Sequence, residues 1–277
     1  MYSAKIMKKY LAKFKKKLKQ YFIKTFWNKD KKDNKNILNT QLGAKGWENV
    51  YLSNPEPLSV VKSEVAKELI KLSTPSAKFI EMGCGSANIS AELAIAGISV
   101  SLCDFSLPIL KQARKLFKIS ELPKPKAILM DISKKLPLSE DVFDIVWSSG
   151  VLEHWEDNEI IPIIKEMKRI SKKYVVSIVP NASSIFYRTA KQIAEERGTW
   201  KYGKELPRKS LEIVFTGAGL TDVTELILSD ELAIHWFKSI NSEVYPIVEK
   251  WWSTLDPSDP VKENQGYLLM TIGSTKK

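Results

Sequence analysis

Residues 78–90, KFIEMGCGSANIS, read as a short apolar strand, a glycine turn and the first turn of a helix. Gly83 and Gly85 carry no Cβ, so the backbone turns sharply and comes close to a ligand. The helix that follows offers unpaired N–H groups to an anion. The result is a cradle for a carboxylate or a phosphate. The dinucleotide fingerprint asks for a third small residue where this chain has Asn88, and tight turns also use glycine for structural reasons alone. The strands around the turn therefore have to decide what it is for.

They do so by repetition. A second strand over 98–103 closes on Asp104, Phe105 and Ser106, and a third over 127–130 stops at Asp131 and Ile132. A fourth over 142–147 opens into Ser148, Ser149, Gly150 and the stretch 151–155, and a fifth covers 174–179. Residues 223–227 and 266–272 read as the last two strands, and helical patterns over 89–96, 107–117, 160–170 and 211–218 fall between. This alternation predicts an α/β, Rossmann-like, doubly wound and mostly parallel seven-stranded sheet with helices on both faces. Its ligand site is expected at the carboxyl ends of the strands. Asp104 stands 21 residues beyond Gly83, about where dinucleotide folds place the acid that takes ribose hydroxyls. The alternative reading makes Asp104 the N-cap of the next helix, a role that Ser106 would fill as well.

Charge locates a separate segment. The formal charge is +11, yet residues 1–36 hold thirteen lysines against Asp30 and Asp33, and the remaining residues carry 30 basic and 30 acidic side chains. The body thus has no net field to draw it toward phosphate backbones, and the whole chain, with 38 Lys to 5 Arg, is poor in the residue that bidentate phosphate and base contacts favour. Nucleic acid is not the expected partner. Cys84 and Cys103 are the only cysteines, in no metal-ligand spacing, which suits a reducing, cytoplasmic setting; with His154 and His235 as the only histidines, no metal site is expected.

Within residues 1–27 apolar side chains at Met7, Leu11, Phe14, Leu18, Tyr21 and Phe22 make one helical stripe, with lysines over the remaining faces. Lysines interrupt any run long enough to span a bilayer or form a signal-peptide core. Two readings follow for this basic amphipathic helix: it lies on an anionic membrane surface, peripheral on the inner face, or it docks its stripe on the protein body. Residues 28–45 read as a polar linker and 46–277 as the folded domain. The domain opens with a cap over 46–73, placed to cover the sheet or a ligand. It carries two acceptor-side insertions, 183–210 and 229–264, whose aromatic residues serve either a core or a pocket.

Taken together, these residues resemble the class I S-adenosylmethionine-dependent methyltransferases, in particular the large group with small-molecule and lipid-like acceptors. Glu81-Met82-Gly83-Cys84-Gly85 is similar to the first motif of that family, Asp104 and Phe105 to its ribose segment, and Asp131-Ile132 to its adenine contact. Leu136-Pro137 with 143–146 is similar to its approach to the fourth strand, and 151–155 to the segment after it, with Ser148 and Ser149 at the strand end. Ala87 departs from the pattern, standing where the family usually has a third glycine. The resemblance implies S-adenosylmethionine as cofactor, bound by Glu81, Gly83, Cys84, Gly85, Asp104, Phe105, Asp131, Ile132, Ser148 and Ser149. It also implies a small-molecule or lipid-like acceptor methylated on oxygen or nitrogen. His154 and Glu153 are the candidates for a catalytic base. A nicotinamide dehydrogenase and a non-catalytic, cofactor-binding interaction protein are the competing readings.

Overall fold

The computed structural model describes residues 41–276; the amphipathic helix expected over 1–27 and most of the expected linker lie outside the described residues. Seven strands form one sheet: β1 (Lys78–Met82), β2 (Ser99–Asp104), β3 (Lys126–Leu129), β4 (Phe143–Ser149), β5 (Ser171–Pro180), β6 (Thr221–Leu228) and β7 (Leu268–Ser274). Their order is β3-β2-β1-β4-β5-β7-β6, parallel throughout except for β7, which runs antiparallel to both β5 and β6. The chain winds outward from β1 to β3, then returns to place β4 on the other side of β1. That reversal opens a crevice above the carboxyl ends of β1 and β4.

Burial on both faces explains the near-continuous apolar strands. In β1, Phe79 enters the core on one face while Ile80 and Met82 enter the core on the other. In β4, Phe143 and Ile145 would share a face at period two, yet they join opposite cores. The register shift between them accounts for the switch, because one extra residue inverts every side chain beyond it.

One face is covered by α2 (Glu64–Lys71), α3 (Asn88–Ile95) and α4 (Leu107–Ile119), which bring Leu69, Ala91, Ile109 and Phe117 against Phe79, Leu102 and Trp147. The opposite face is covered by α5 (Asp157–Ile170) and α7 (Glu212–Gly217), through Ile160, Ile164, Met167 and Phe215. The two insertions pack on each other: α6 (Ile185–Glu196) meets α8 (Asp230–Ile240) and α9 (Tyr245–Thr254) in a separate small core built on Phe186, Ala190, Phe237 and Val248. Most of their aromatic residues are thus core, as one of the two sequence readings had it. In the cap, α1 (Ala44–Tyr51) has no buried residue and lies across the crevice, whereas α2 is anchored by Glu92, whose Oε2 accepts from the Ser63 amide at 2.8 Å and the Lys62 amide at 3.1 Å.

Gly266, on the approach to β7, is a position with no room for a side chain. A Cβ there would sit 2.4 Å from the Leu228 carbonyl and 2.8 Å from Ile227 Cγ2. Overpacking of this kind costs about 1–3 kcal/mol, so Gly266→Ala is expected to lower the urea midpoint by about 2 kcal/mol equivalent while the fold persists.

Candidate active site

A cavity of about 220 Å³ opens where the strand order reverses. Its floor is the glycine turn, with Gly83 at φ +70 and Gly85 at φ +48, both in the left-handed region that suits glycine. A Cβ on Gly83 would lie 2.8 Å from Val151 Cγ2, and one on Gly85 would lie 3.1 Å from the Tyr51 ring. A side chain at either position would crowd Val151 or Tyr51. Ala87 also adopts φ +58, at the N-cap of α3. Left-handed alanine costs about 1–2 kcal/mol, and burying its methyl returns part of that. The departure from a third glycine is therefore tolerated without a change in backbone path.

Asp104 ends β2 and is not the N-cap of the helix that follows. Ser106 is the N-cap of α4, its Oγ accepting from the Ile109 amide at 3.4 Å, so Asp104 is not needed there. Instead Asp104 Oδ2 accepts from the Gly85 amide at 3.2 Å and Oδ1 from the Ser106 amide at 2.9 Å, and its residue lines the cavity. Burial raises its pKa above the usual carboxylate range, opposed by the backbone hydrogen bonds of Ser106 and Gly85. Phe105, 42% exposed, presents a ring to the cavity beside it. Asp131 and Ile132 form another part of the wall; Asp131 Oδ1 accepts from the Ser133 amide at 2.9 Å and the Ser133 hydroxyl at 2.7 Å.

Four expected cofactor residues stand elsewhere. Ser148 and Ser149 belong to β4, which runs two residues further than its sequence pattern indicates, and the Ser148 hydroxyl is buried 3.2 Å from that of Ser177. Cys84 packs in the core behind the turn, its amide donating to Cys103 O at 2.9 Å. Glu81 is 4% exposed and accepts from the Ser90 hydroxyl at 2.5 Å, tying β1 to α3. None of the four is part of the cavity wall.

The wall opposite Asp104 comes from the segment after β4 and from the cap. His154 lies in a 3-10 turn, Leu152–His154, and packs edge-on against Trp47 of α1 at 4.8 Å. Its Nδ1 is 2.6 Å from the Lys204 carbonyl. A carbonyl only accepts, so Nδ1 donates, and Nε2 is the ring nitrogen that carries the lone pair in the neutral tautomer. Gln41 secures the same residue by donating to His154 O at 2.8 Å. The sequence reading did not single out Trp47, Tyr51 or Met130, all of which line the cavity. The aromatic pair at 47 and 51 ahead of β1 was the available signal. Among the described residues no group of three or more His, Cys, Asp or Glu is arranged to hold a metal ion.

Residues 79–174 match the family model described as a methyltransferase domain. The matched stretch runs from β1 to β5 and holds the glycine turn and the borders of the crevice. Over 113 residues it is 32% identical to demethylmenaquinone methyltransferase of Streptomyces avermitilis, a stretch covering 41% of this chain and 45% of that protein. The chain thus spans less than half the length of that curated relative. Among solved structures, the geranyl diphosphate C-methyltransferase of Streptomyces coelicolor shares the fold at a TM-score of 0.55 and 10% identity, over 84% of this chain and 96% of that one. A possible histamine N-methyltransferase of Thermotoga maritima does so at 0.52 and 18%, over 76% and 88%. The residues around the crevice fit S-adenosylmethionine by their donor set: a bare glycine turn, a carboxylate at the end of β2 and an exposed aromatic residue next to it.

Burial pushes Glu81 up to about 8 from 4.5, against the pull of the Ser90 hydroxyl. The folded domain therefore keeps a proton that the unfolded chain releases near 4.5. Stability from this group is full below that value and is lost as pH rises toward 8. Glu81→Gln is expected to flatten this decline, so the urea midpoint of wild type should fall more than that of the variant between about pH 5 and pH 8.

Proposed function

We propose that the chain is an S-adenosylmethionine-dependent methyltransferase acting on an oxygen or nitrogen of a small-molecule or lipid-like acceptor. The observation that carries this reading is the placement of Asp104, freed from capping duty and held against the Gly85 amide at the rim of the crevice. The names of similar proteins, which refer to demethylmenaquinone and geranyl diphosphate, support an organic acceptor of modest size.

Bound S-adenosylmethionine would supply a methyl carbon activated by its sulfonium, with a neutral thioether as leaving group. Asp104 would take the ribose hydroxyls, the N–H groups after Gly85 the methionine carboxylate, and Phe105, Asp131 and Ile132 the adenine. Tyr51 and Trp47 cover the crevice and exclude water. Most of what the protein adds to such a transfer is positioning. His154 supplies the remaining element, a lone pair on Nε2 to accept the proton that an acceptor sheds. The basic segment 1–27 remains, on its sequence alone, a proposed contact with an anionic membrane surface at the cytoplasmic face. No described helix is long and apolar enough to cross a membrane.

Two measurements test the reading. Asp104→Ala is expected to weaken S-adenosylhomocysteine binding at least about tenfold in calorimetry, since a charge-assisted hydrogen bond contributes about 1.5–3 kcal/mol. Unchanged affinity with a normal melting profile removes Asp104 from the site. For the tail, sedimentation should show salt-sensitive binding to anionic vesicles and none to neutral ones, because each lysine near such a surface contributes about 1 kcal/mol within a Debye length. Equal binding to both lipids, or none to either, favours the docked helix.

A further inference from the structure

The two insertions leave a groove of their own, apart from the crevice. A cavity of about 240 Å³ lies where α6, α8 and α9 meet. Phe186, Tyr245 and Val248 line it as buried residues, and Ile234 and Trp252 as half-buried ones. Trp252 packs edge-on against Phe186 at 4.8 Å. Glu249 and Ser253 complete the lining, and the Glu249 carboxylate accepts from the Tyr245 hydroxyl at 2.8 Å. Among the described residues that line the groove there is no Lys or Arg. Ile185 on α6 and Leu232 on α8 leave further apolar surface exposed on the same helices. Apolar surface gathered in this way marks an interaction site.

Charge and chain path both bear on what fills it. Residues 229–264 hold seven acids against three lysines, although residues 37–277 as a whole are balanced. Two of those lysines, Lys238 and Lys262, lie over the Tyr245 and Trp252 rings at 4.8 and 5.5 Å, and they are included in that excess of four acids. The facing helix α6 is neutral, with Arg188 and Lys191 against Glu195 and Glu196. The groove thus presents apolar side chains within a locally acidic part of the surface. The described chain enters at Gln41, whose side chain donates to the His154 carbonyl, and His154 Nδ1 meets the Lys204 carbonyl in the loop after α6. Trp200 of that loop lies 6.1 Å from Trp236 of α8, so the chain enters on the side of the insertions. The thirteen residues 28–40 reach at most about 45 Å when extended. That length is enough to cross a domain of this size, whose radius of gyration is about 18 Å.

We propose that this groove is the docking site of residues 1–27 of the same chain. Met7, Leu11, Phe14 and Leu18 recur at i, i+4, i+7 and i+11, the spacing with which an amphipathic helix fills an apolar groove. The lysines on the remaining faces of that segment complement the acidic surroundings. The stripe serves one surface at a time, so the membrane contact proposed above would have to draw it out of the groove.

The test uses the full chain in lipid-free buffer with the photo-cross-linker p-benzoylphenylalanine in place of Phe14, and mass spectrometry to locate the product. Cross-links are expected within one chain, to residues of α6, α8 or α9 that border the groove. Leu11→Asp with Leu18→Asp, both outside the described residues, is expected to cut their yield at least about tenfold, because burying one leucine already exceeds the free energy of a tenfold change. Ser253→Arg, which fills the groove from an exposed position, is expected to lower the yield several-fold with an unchanged melting profile and unchanged S-adenosylhomocysteine affinity. Cross-links to other faces, cross-links only between two chains, or a yield that neither variant lowers overturn the docking. No cross-link in this buffer, together with binding to anionic vesicles, overturns it too and assigns the stripe to a membrane surface.

Discussion

The Asp104 carboxylate joins two turns that come from different strands. One oxygen accepts from the amide after Cys84, in the turn leaving β1, and the other from the Ser106 amide, at the start of α4. A carboxylate buried to this degree is costly unless its lone pairs are used, and here backbone amides use them. The same two bonds set the separation of the glycine turn from the end of β2, and so the width of the crevice between them. Ser106 extends the arrangement outward: its hydroxyl caps α4 and also donates to Glu48 of α1 at 2.9 Å. The cap helix, which has no buried residue of its own, is thereby referenced to the carboxylate below it.

How the crevice is closed follows from the same logic. Tyr51 reaches the glycine turn, Gln112 fixes the end of α1 by donating to the Tyr51 carbonyl at 2.7 Å, and Gln41 reaches the segment after β4. These polar ties accompany the half-buried rings of Trp47 and Tyr51, and no residue of α1 is fully buried. Segments of that kind sit at the low end of local stability, which suits a cover that has to admit a ligand.

The architecture was legible because each central strand is apolar on both faces and each is followed by a helix with a clear stripe. The crevice was legible because every strand that borders it ends in a glycine or a polar residue. Where the reading slipped, a local pattern had been overridden by pairing. Ser148 and Ser149 look like the start of a loop, yet β5 continues beside them and keeps them in the sheet. Glu81, expected at the cofactor, accepts from Ser90, nine positions on in the first turn of α3. The cover of the crevice was least legible, since Gln41, Trp47 and Tyr51 precede the first strand and what they pack on depends on the path of the chain. No periodicity connects them.

One feature of the topology bears on how such a domain comes into being. β7 follows every other strand in the sequence but lies between β5 and β6, hydrogen-bonded to both. Until residues 268–274 leave the ribosome, β5 has an open edge and β6 has no neighbour to pair with. The left half of the sheet, with its glycine turn and crevice, can assemble while the right half waits. Before β7 emerges the chain exposes a strand edge on β5, the stage at which a chain of this design is most open to mispairing.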